Sequence, residues 1–417
     1  MVTMKEVRKK TGKIGMLLLA LYPILYYYLT SLPFSYGQLL FFAFFIVQFF
    51  YYAKKPFSIP KEMTTFWIYA AIVLLFFSPN IKVTYFVPGG IQFCVWIIIL
   101  GLCIRNFNRY YLQKYMRIVF VISAVIYVLQ ELMFMGTGTR FVTILPISET
   151  FSYGGLTYSG LMAKQINANR SSSLFMEPAY FAQYALCLLA LELFCDETKD
   201  KLVTKYSLLI IFILLILRSG VGVIGLLLLG LIKFFTSMKN YSLRKNLLYL
   251  FLLLPIVLTM AFYYSQSEIG LALLGRADEL GSDESSAYLR LFYGYYIYEL
   301  LPMINKIFGL PIDALENIMP SYMTTTDESI FMNGFQTLLI TNGLIGVILF
   351  CYVFVKFYKK GRLLIKSSVW LLLLLSLMEQ IYLMPYMLLL SVIIFSNQEE
   401  GTNPSLANQS KIYKNYF

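Results

Sequence analysis

Apolar residues run through this chain in blocks of about twenty, the length a helix needs to cross the hydrocarbon of a bilayer. A window of about 19 residues places twelve such blocks, at 14–32, 36–53, 64–79, 87–104, 115–135, 178–195, 206–218, 220–235, 247–265, 335–355, 367–379 and 381–396. Two close pairs, 206–235 and 367–396, each hold a brief polar break, Arg218-Ser219-Gly220 and Glu379-Gln380. Each therefore reads as a hairpin of short helices rather than one overlong helix. Charged residues make up 13% of the 417 positions, about half the soluble average, which excludes a water-soluble enzyme and a disordered chain. The expected fold class is an all-α polytopic membrane protein with about twelve transmembrane helices, one bundle over residues 1–396, and a polar tail over 397–417.

The formal charge of +12 acquires meaning from its distribution. With the N-terminus inside, eight of the 34 bases fall outside (Lys82, Arg140, Lys164, Arg170, Arg218, Arg276, Arg290 and Lys306), and the other 26 fall in inner segments. Lys and Arg in short loops favour the cytoplasm, so both termini are expected there. The charge is a topology signal and not a nucleic-acid signal. No small-residue cleavage site follows the first apolar block, which reads as an uncleaved helix.

Two outer segments, 136–177 and 266–334, are far longer than ordinary helix connections. The second holds ten acids against three bases, and residues 285–301 within it read as an amphipathic helix opened by Ser285 or Ser286. Aromatics reach 17%, too many for interfacial belts alone, so many must pack inside the bundle or line a wet cavity. The chain has no histidine, which removes imidazole as base, nucleophile or metal ligand. Cys94, Cys103, Cys187, Cys195 and Cys351 show no metal-ligand spacing and read as small hydrophobes.

Candidate site residues cluster where polar groups interrupt this pattern. The stretch Asn169 to Tyr184 carries Arg170, Glu177 beside Pro178 at a helix start, and Tyr180 and Gln183 inside the apolar block. Glu177 also fits a plain helix cap at the positive end of the helix dipole. Arg218 sits at the outer end of a hairpin, where a boundary arginine either meets a partner or snorkels to lipid phosphate. Arg276 and Arg290, the latter one turn after Ser286, either bind a ligand or pair with their own loop's acids. Arginines facing outward with scattered carboxylates suit recognition of an anion by planar forks, and a pyrophosphate is the natural match. There is no GxxxxGK[ST] loop and no GxSxG elbow. An enzyme on the outer face has little access to nucleotide donors, so it needs a donor already activated in the membrane.

The order of Arg170 to Tyr184, the hairpin Leu217-Arg218-Ser219-Gly220-Val221-Gly222, and the series Arg276, Ser286, Arg290, Phe308-Gly309-Leu310-Pro311 and Asn342-Gly343-Leu344-Ile345-Gly346 resembles the Wzy-type O-antigen and capsular repeat-unit polymerases. These belong to the superfamily shared with the O-antigen ligases. The resemblance covers roughly 165–350 and implies a GT-C-like fold in the bacterial cell membrane. It also implies metal-independent, inverting glycosyl transfer between undecaprenyl-pyrophosphate-linked oligosaccharides on the outer face, with no cofactor. By resemblance Arg218 and Arg290 hold the donor pyrophosphate, with Arg170 and Arg276 as further candidates. Tyr180, Tyr293 and Asn333 become glycan contacts, and the partners are membrane lipid, a chain-length regulator and a flippase. Ligases of the superfamily resemble the chain around Phe331 to Phe335 but commonly carry a histidine near Asn333. Here Glu177 is the first substitute as base, with Asp327 and Glu328 as others. A rival reading is a lipid-linked oligosaccharide flippase. Against it stand the absence of visible repeated halves and the concentration of polar residues in outer loops. A ligase-like attachment enzyme differs only in its acceptor.

Overall fold

A computed structural model of the chain describes residues 4–32, 34–52, 58–76, 83–151, 157–166, 168, 170–195, 204–238, 289–310 and 332–396. These residues form helices α1 Met4–Leu25, α2 Tyr36–Tyr52, α3 Lys61–Phe76, α4 Val83–Arg105, α5 Arg109–Thr137, α6 Tyr158–Ile166, α7 Pro178–Phe194, α8 Lys205–Ile216 and α9 Gly220–Met238. After a π-helical turn at Leu289–Tyr293 come α10 Gly294–Leu300, α11 Met303–Phe308, α12 Gly334–Lys360, α13 Leu363–Met378 and α14 Pro385–Ser396. Each expected apolar block that falls on described residues holds a helix. The block at 247–265, residues 266–288 and 311–331 of the second outer segment, and the tail 397–417 lie outside the described residues. The two hairpins are present as α8–α9 and α13–α14.

Local chemistry accounts for the helix ends. Asn108 caps α5 by accepting from the Tyr111 N–H at 3.1 Å, and Gly138 in the left-handed region (φ 72°) closes it. Thr204 and Ser207 form a reciprocal capping box on α8, and Asn333 and Gln336 form one on α12. The hydrophobic blocks then sort by face. From Phe181 to Phe194 every residue of α7 is buried, as is every residue of α14, which makes these two helices the centre of the bundle. Outer helices turn large apolar side chains outward instead, among them Phe50, Leu75, Leu132 and Phe212. An apolar exterior of this extent suits hydrocarbon and not water, so the described residues form the helical bundle of a membrane protein. Helices α5 and α12 are each long and apolar enough to cross a bilayer alone.

The helices alternate so that their ends gather into two groups. At one end Lys356 pairs with Glu62 at 3.0 Å, Gln48 donates to Asn106 at 3.0 Å, and the Lys233 ammonium donates to the Leu193 carbonyl at 2.8 Å. At this end too the fully buried Glu192 takes the Arg117 guanidinium (2.5 and 2.8 Å) and the Gln113 amide (2.9 Å). The opposite end carries the α5–α7 connection, the α8–α9 break and the start of α12.

Two regions differ from the regular helices expected. The stretch 285–301, where described, is a π-helical turn followed by the short α10. Gln336 of α12 donates its side-chain amide to the Leu291 carbonyl at 2.8 Å, so the turn opens around an inserted partner. Gly294 admits this contact, because a Cβ there would lie 2.6 Å from the Gln336 Cβ. The block at 335–355 is likewise not one straight helix: α12 is broken at Gly343 (φ 61°, ψ −174°).

Candidate functional site

Three consecutive serines build the approach to the site. Ser171, Ser172 and Ser173 are all buried, and α5 supplies the partners their path requires. The Ser173 N–H donates to Gln130 Oε1 at 2.9 Å, its hydroxyl donates to the Ser123 carbonyl at 2.6 Å, and the Ser171 N–H donates to Glu131 Oε1 at 3.2 Å. Small side chains with hydroxyls suit this track, since Ser173 adopts a left-handed conformation (φ 57°) that bulky residues avoid. Thr143 donates to the Ser173 carbonyl, and Gln165 of α6 bridges Thr143 and Ser172 at 2.9 and 3.1 Å.

Arg140 locks the arrangement. Its guanidinium, 2% exposed, donates to the Ser171 hydroxyl at 2.8 Å, to the Ala168 carbonyl and to Glu131 Oε1 at 3.2 Å, and stands 3.6 Å over the Phe134 ring. One cation thus ties α5 to both ends of the segment leading to Arg170.

Beyond this segment opens a pocket of about 270 Å³, lined by Lys164, Gln165, Arg170, Ser172, Glu177 and Pro178 on its polar side and by Ile144, Leu161 and Met176 on its apolar side. Glu177 occupies the N-cap position of α7 with extended backbone (φ −140°, ψ 154°), and Pro178 follows at the first helical position. Its carbonyl accepts from the Tyr180 and Phe181 N–H groups, while its carboxylate makes no capping hydrogen bond and lies 3.9 Å from the Lys164 ammonium. The side chain therefore makes no hydrogen-bonded cap, although its charge sits at the positive end of the α7 dipole. Arg170 reaches across to the α8–α9 break, donating from Nη1 to the Arg218 carbonyl at 2.8 Å. Arg218 is half-buried and left-handed (φ 54°). The Tyr127 hydroxyl donates to the Ile216 carbonyl at 2.7 Å and lies within electrostatic reach of Glu131, Arg140, Arg170 and Arg218.

Of the residues expected from sequence, Arg170 and Glu177 line this pocket, and Arg218 is joined to it through its backbone carbonyl. Tyr180, on the first turn of α7, stacks on Tyr27 (centroids 4.9 Å apart, planes at 10°) and lies 6.0 Å from the Tyr386 ring. Tyr293 belongs to a separate small cluster with Ile297, Leu301, Leu310, Met332 and Ile340. Asn333 is buried, and its side chain accepts the Gln336 N–H at 2.8 Å, so it serves the start of α12. Only the backbone of Arg290 is described, within the π-helical turn, and Arg276, Asp327 and Glu328 lie outside the described residues.

Sequence reasoning passed over Lys164, Arg140 and Glu379. Lys164 and Arg140 stood among the few bases on the outer side, the only signal that singled them out. Glu379 stood in the α13–α14 break and is a buried carboxylate, with its carbonyl accepting the Gly334 N–H at 2.8 Å and its charge within reach of Tyr386. Together the pocket offers two cations and one carboxylate at one end of a membrane bundle, and the Tyr180–Tyr27 stack lies on the first turn of the helix that Glu177 opens. That combination has the chemistry to bind an anion and to accept a proton beside it.

No curated protein matches the chain. A profile of the WcaD colanic acid polymerases matches residues 15–398. That span takes in the serine track, the pocket and the break at Gly343, and the chain belongs to the WcaD colanic acid polymerase family.

Proposed function

We propose that this polysaccharide polymerase extends a surface glycan on the outer face of the cell membrane, with undecaprenyl pyrophosphate as the carrier of the growing chain. The pyrophosphate lies against Arg170, Lys164 and Arg218, with Arg290 as the further arginine that the family resemblance assigns to it. A hydroxyl of the next lipid-linked repeat attacks the anomeric carbon from the face opposite the leaving group, so configuration inverts. The new glycosidic C–O bond forms as the bond to pyrophosphate breaks. The electron pair leaves with undecaprenyl pyrophosphate, whose charge the cations offset, and the hydroxyl proton passes to Glu177. Tyr180, stacked on Tyr27, offers an aromatic platform of the kind sugars pack on.

The single observation that carries this reading is the pocket in which Arg170 joins the Arg218 carbonyl while Lys164 stands 3.9 Å from Glu177. Purified protein in proteoliposomes, supplied with a lipid-linked repeat unit, is expected to produce a ladder of longer glycans. Arg170→Ala and Arg218→Ala are expected to erase it. A normal ladder from both variants removes the proposed pyrophosphate site.

A further inference from the structure

The Phe308-Gly309-Leu310 and Asn342-Gly343 motifs, far apart in sequence, lie backbone against backbone. The Leu310 N–H donates to the Ile340 carbonyl at 2.8 Å, on one side of the break in α12. Gly309 (φ 97°) and Gly343 (φ 61°) are both left-handed, and a Cβ on Gly343 would stand 2.4 Å from the Ile307 carbonyl oxygen and 2.5 Å from the Gly309 nitrogen. Only glycine permits this approach. The Tyr69 hydroxyl of α3 closes the junction, 2.9 Å from the Phe308 carbonyl and 3.1 Å from the Asn342 carbonyl.

The depth of this junction is unexpected for an external loop. Gly343 lies nine residues into α12 from Gly334, about 14 Å along the axis. Tyr69 lies seven residues from Phe76 on α3, about 10 Å from that end. Both depths approach the middle of a hydrocarbon core of about 30 Å. Met303 is 71% exposed and Ile304 55%, and Phe308 is exposed as well. Beside the junction, α3 exposes Ile68 and Ile72 and α12 exposes Leu344 and Ile348. The apolar face of residues 303–308 thus continues the outward apolar faces of two membrane helices. Several of its backbone groups are paired within the protein: the Asn305 and Lys306 N–H groups donate to the Pro302 carbonyl at 2.9 and 3.0 Å, Gly309 donates to the Asn305 carbonyl at 2.8 Å, and the Tyr298 hydroxyl donates to the Lys306 carbonyl at 3.0 Å. Non-helical backbone survives at membrane depth only when buried in protein, and Gly309, Leu310 and Gly343 are all buried. Lys306, the one charged residue of the segment, is half-buried on a stem long enough to carry its ammonium back toward Pro302.

We propose that residues 303–310 form a re-entrant segment, so that this loop returns into the bilayer and its apolar face is covered by lipid hydrocarbon. Pinned at that depth, the π-helical turn bearing Arg290 is held near the membrane surface, where the headgroup of a lipid-linked substrate lies. The test places a photoreactive benzophenone amino acid at Ile304 or Phe308 of the full chain in phosphatidylethanolamine and phosphatidylglycerol vesicles containing radiolabelled phospholipid. Ile348 serves as the lipid-facing control and Thr139 as the water-facing one. Crosslinking to lipid at 304 and 308 comparable to that at 348, and at least about ten-fold above that at 139, is the expected result. Lipid yields at the level of Thr139 mean a loop in water and overturn the proposal. Chain-to-chain crosslinks at 304 and 308 mean that a second copy covers the face, and overturn it equally. An independent readout uses Met303→Cys and Ile304→Cys with a membrane-impermeant maleimide. Labelling as fast as that of Thr139→Cys contradicts re-entry, and protection supports it.

Discussion

Arg140 carries a full charge into the protein and is matched on every side, by the Glu131 carboxylate, the Ser171 hydroxyl, the Ala168 carbonyl and the Phe134 ring. Removing the guanidinium strips the Ser171 hydroxyl and the Ala168 carbonyl of their donor and Glu131 of its cation. Arg140→Met is expected to cost about 3–5 kcal/mol, read as a lowered thermal midpoint in detergent, and Arg140→Lys is expected not to restore it because an ammonium cannot span the same three directions. The pocket residues should divide differently between binding and chemistry. Lys164→Ala is expected to lower kcat/KM for the lipid-linked donor about 10- to 100-fold, the effect of losing one charge-assisted contact to the pyrophosphate. Glu177→Gln is expected to lower kcat by about 10²- to 10⁴-fold with KM held. If Glu177→Gln polymerises at the native rate, the carboxylate is not the base. Arg218 stood out in the sequence because it interrupts an apolar run, and Arg170 and Glu177 because they lead from a long outer segment into one. Lys164 did not, because nothing in its neighbourhood of α6 distinguishes it until the fold sets it beside Glu177.

At the scale of elements, the deviations from regular helix are where side chains or backbone from elsewhere insert. Gln336 is wholly buried and does two jobs, accepting the Asn333 N–H at 3.1 Å and donating to the Leu291 carbonyl. The break at Gly343 accepts the 307–310 segment. Gly343→Ala is therefore expected to destabilise the protein by about 3 kcal/mol or more, through a left-handed backbone and a clash with main-chain atoms that cannot retreat. Gly230→Ala in α9, where a Cβ meets nothing within 4 Å, is expected to be neutral or to stabilise by up to about 1 kcal/mol. Comparing the thermal midpoints of the two variants checks both. The helical blocks themselves were readable from hydropathy, since twenty apolar residues have few alternatives in a bilayer. The π-helical turn and the break were not, because each depends on a partner some 40 residues away in sequence.

For the whole molecule, the charge distribution and the packing make separate statements that coincide. Positive-inside counting assigns Glu62, Asn106, Arg117, Glu192 and Lys356 to one face, and the contacts among Lys356 and Glu62, Gln48 and Asn106, and Arg117 and Glu192 draw those helix ends together. Alkaline phosphatase fused after Leu145 is expected to be active, as an external position requires, and the same reporter after Gly361 inactive. The reverse pattern inverts the topology. The sequence by itself determined the helical membrane class, the alternation of the helices and the charged residues worth suspecting, because hydropathy and loop charge act locally and sum along the chain. Only the tertiary structure decided which of those residues share a pocket, that the Asn333 side chain makes a capping hydrogen bond while that of Glu177 makes none, and that two distant glycines let a loop enter a helix break. Such facts rest on backbone approaches within hydrogen-bond distance, and no local pattern of residue types encodes which segment arrives.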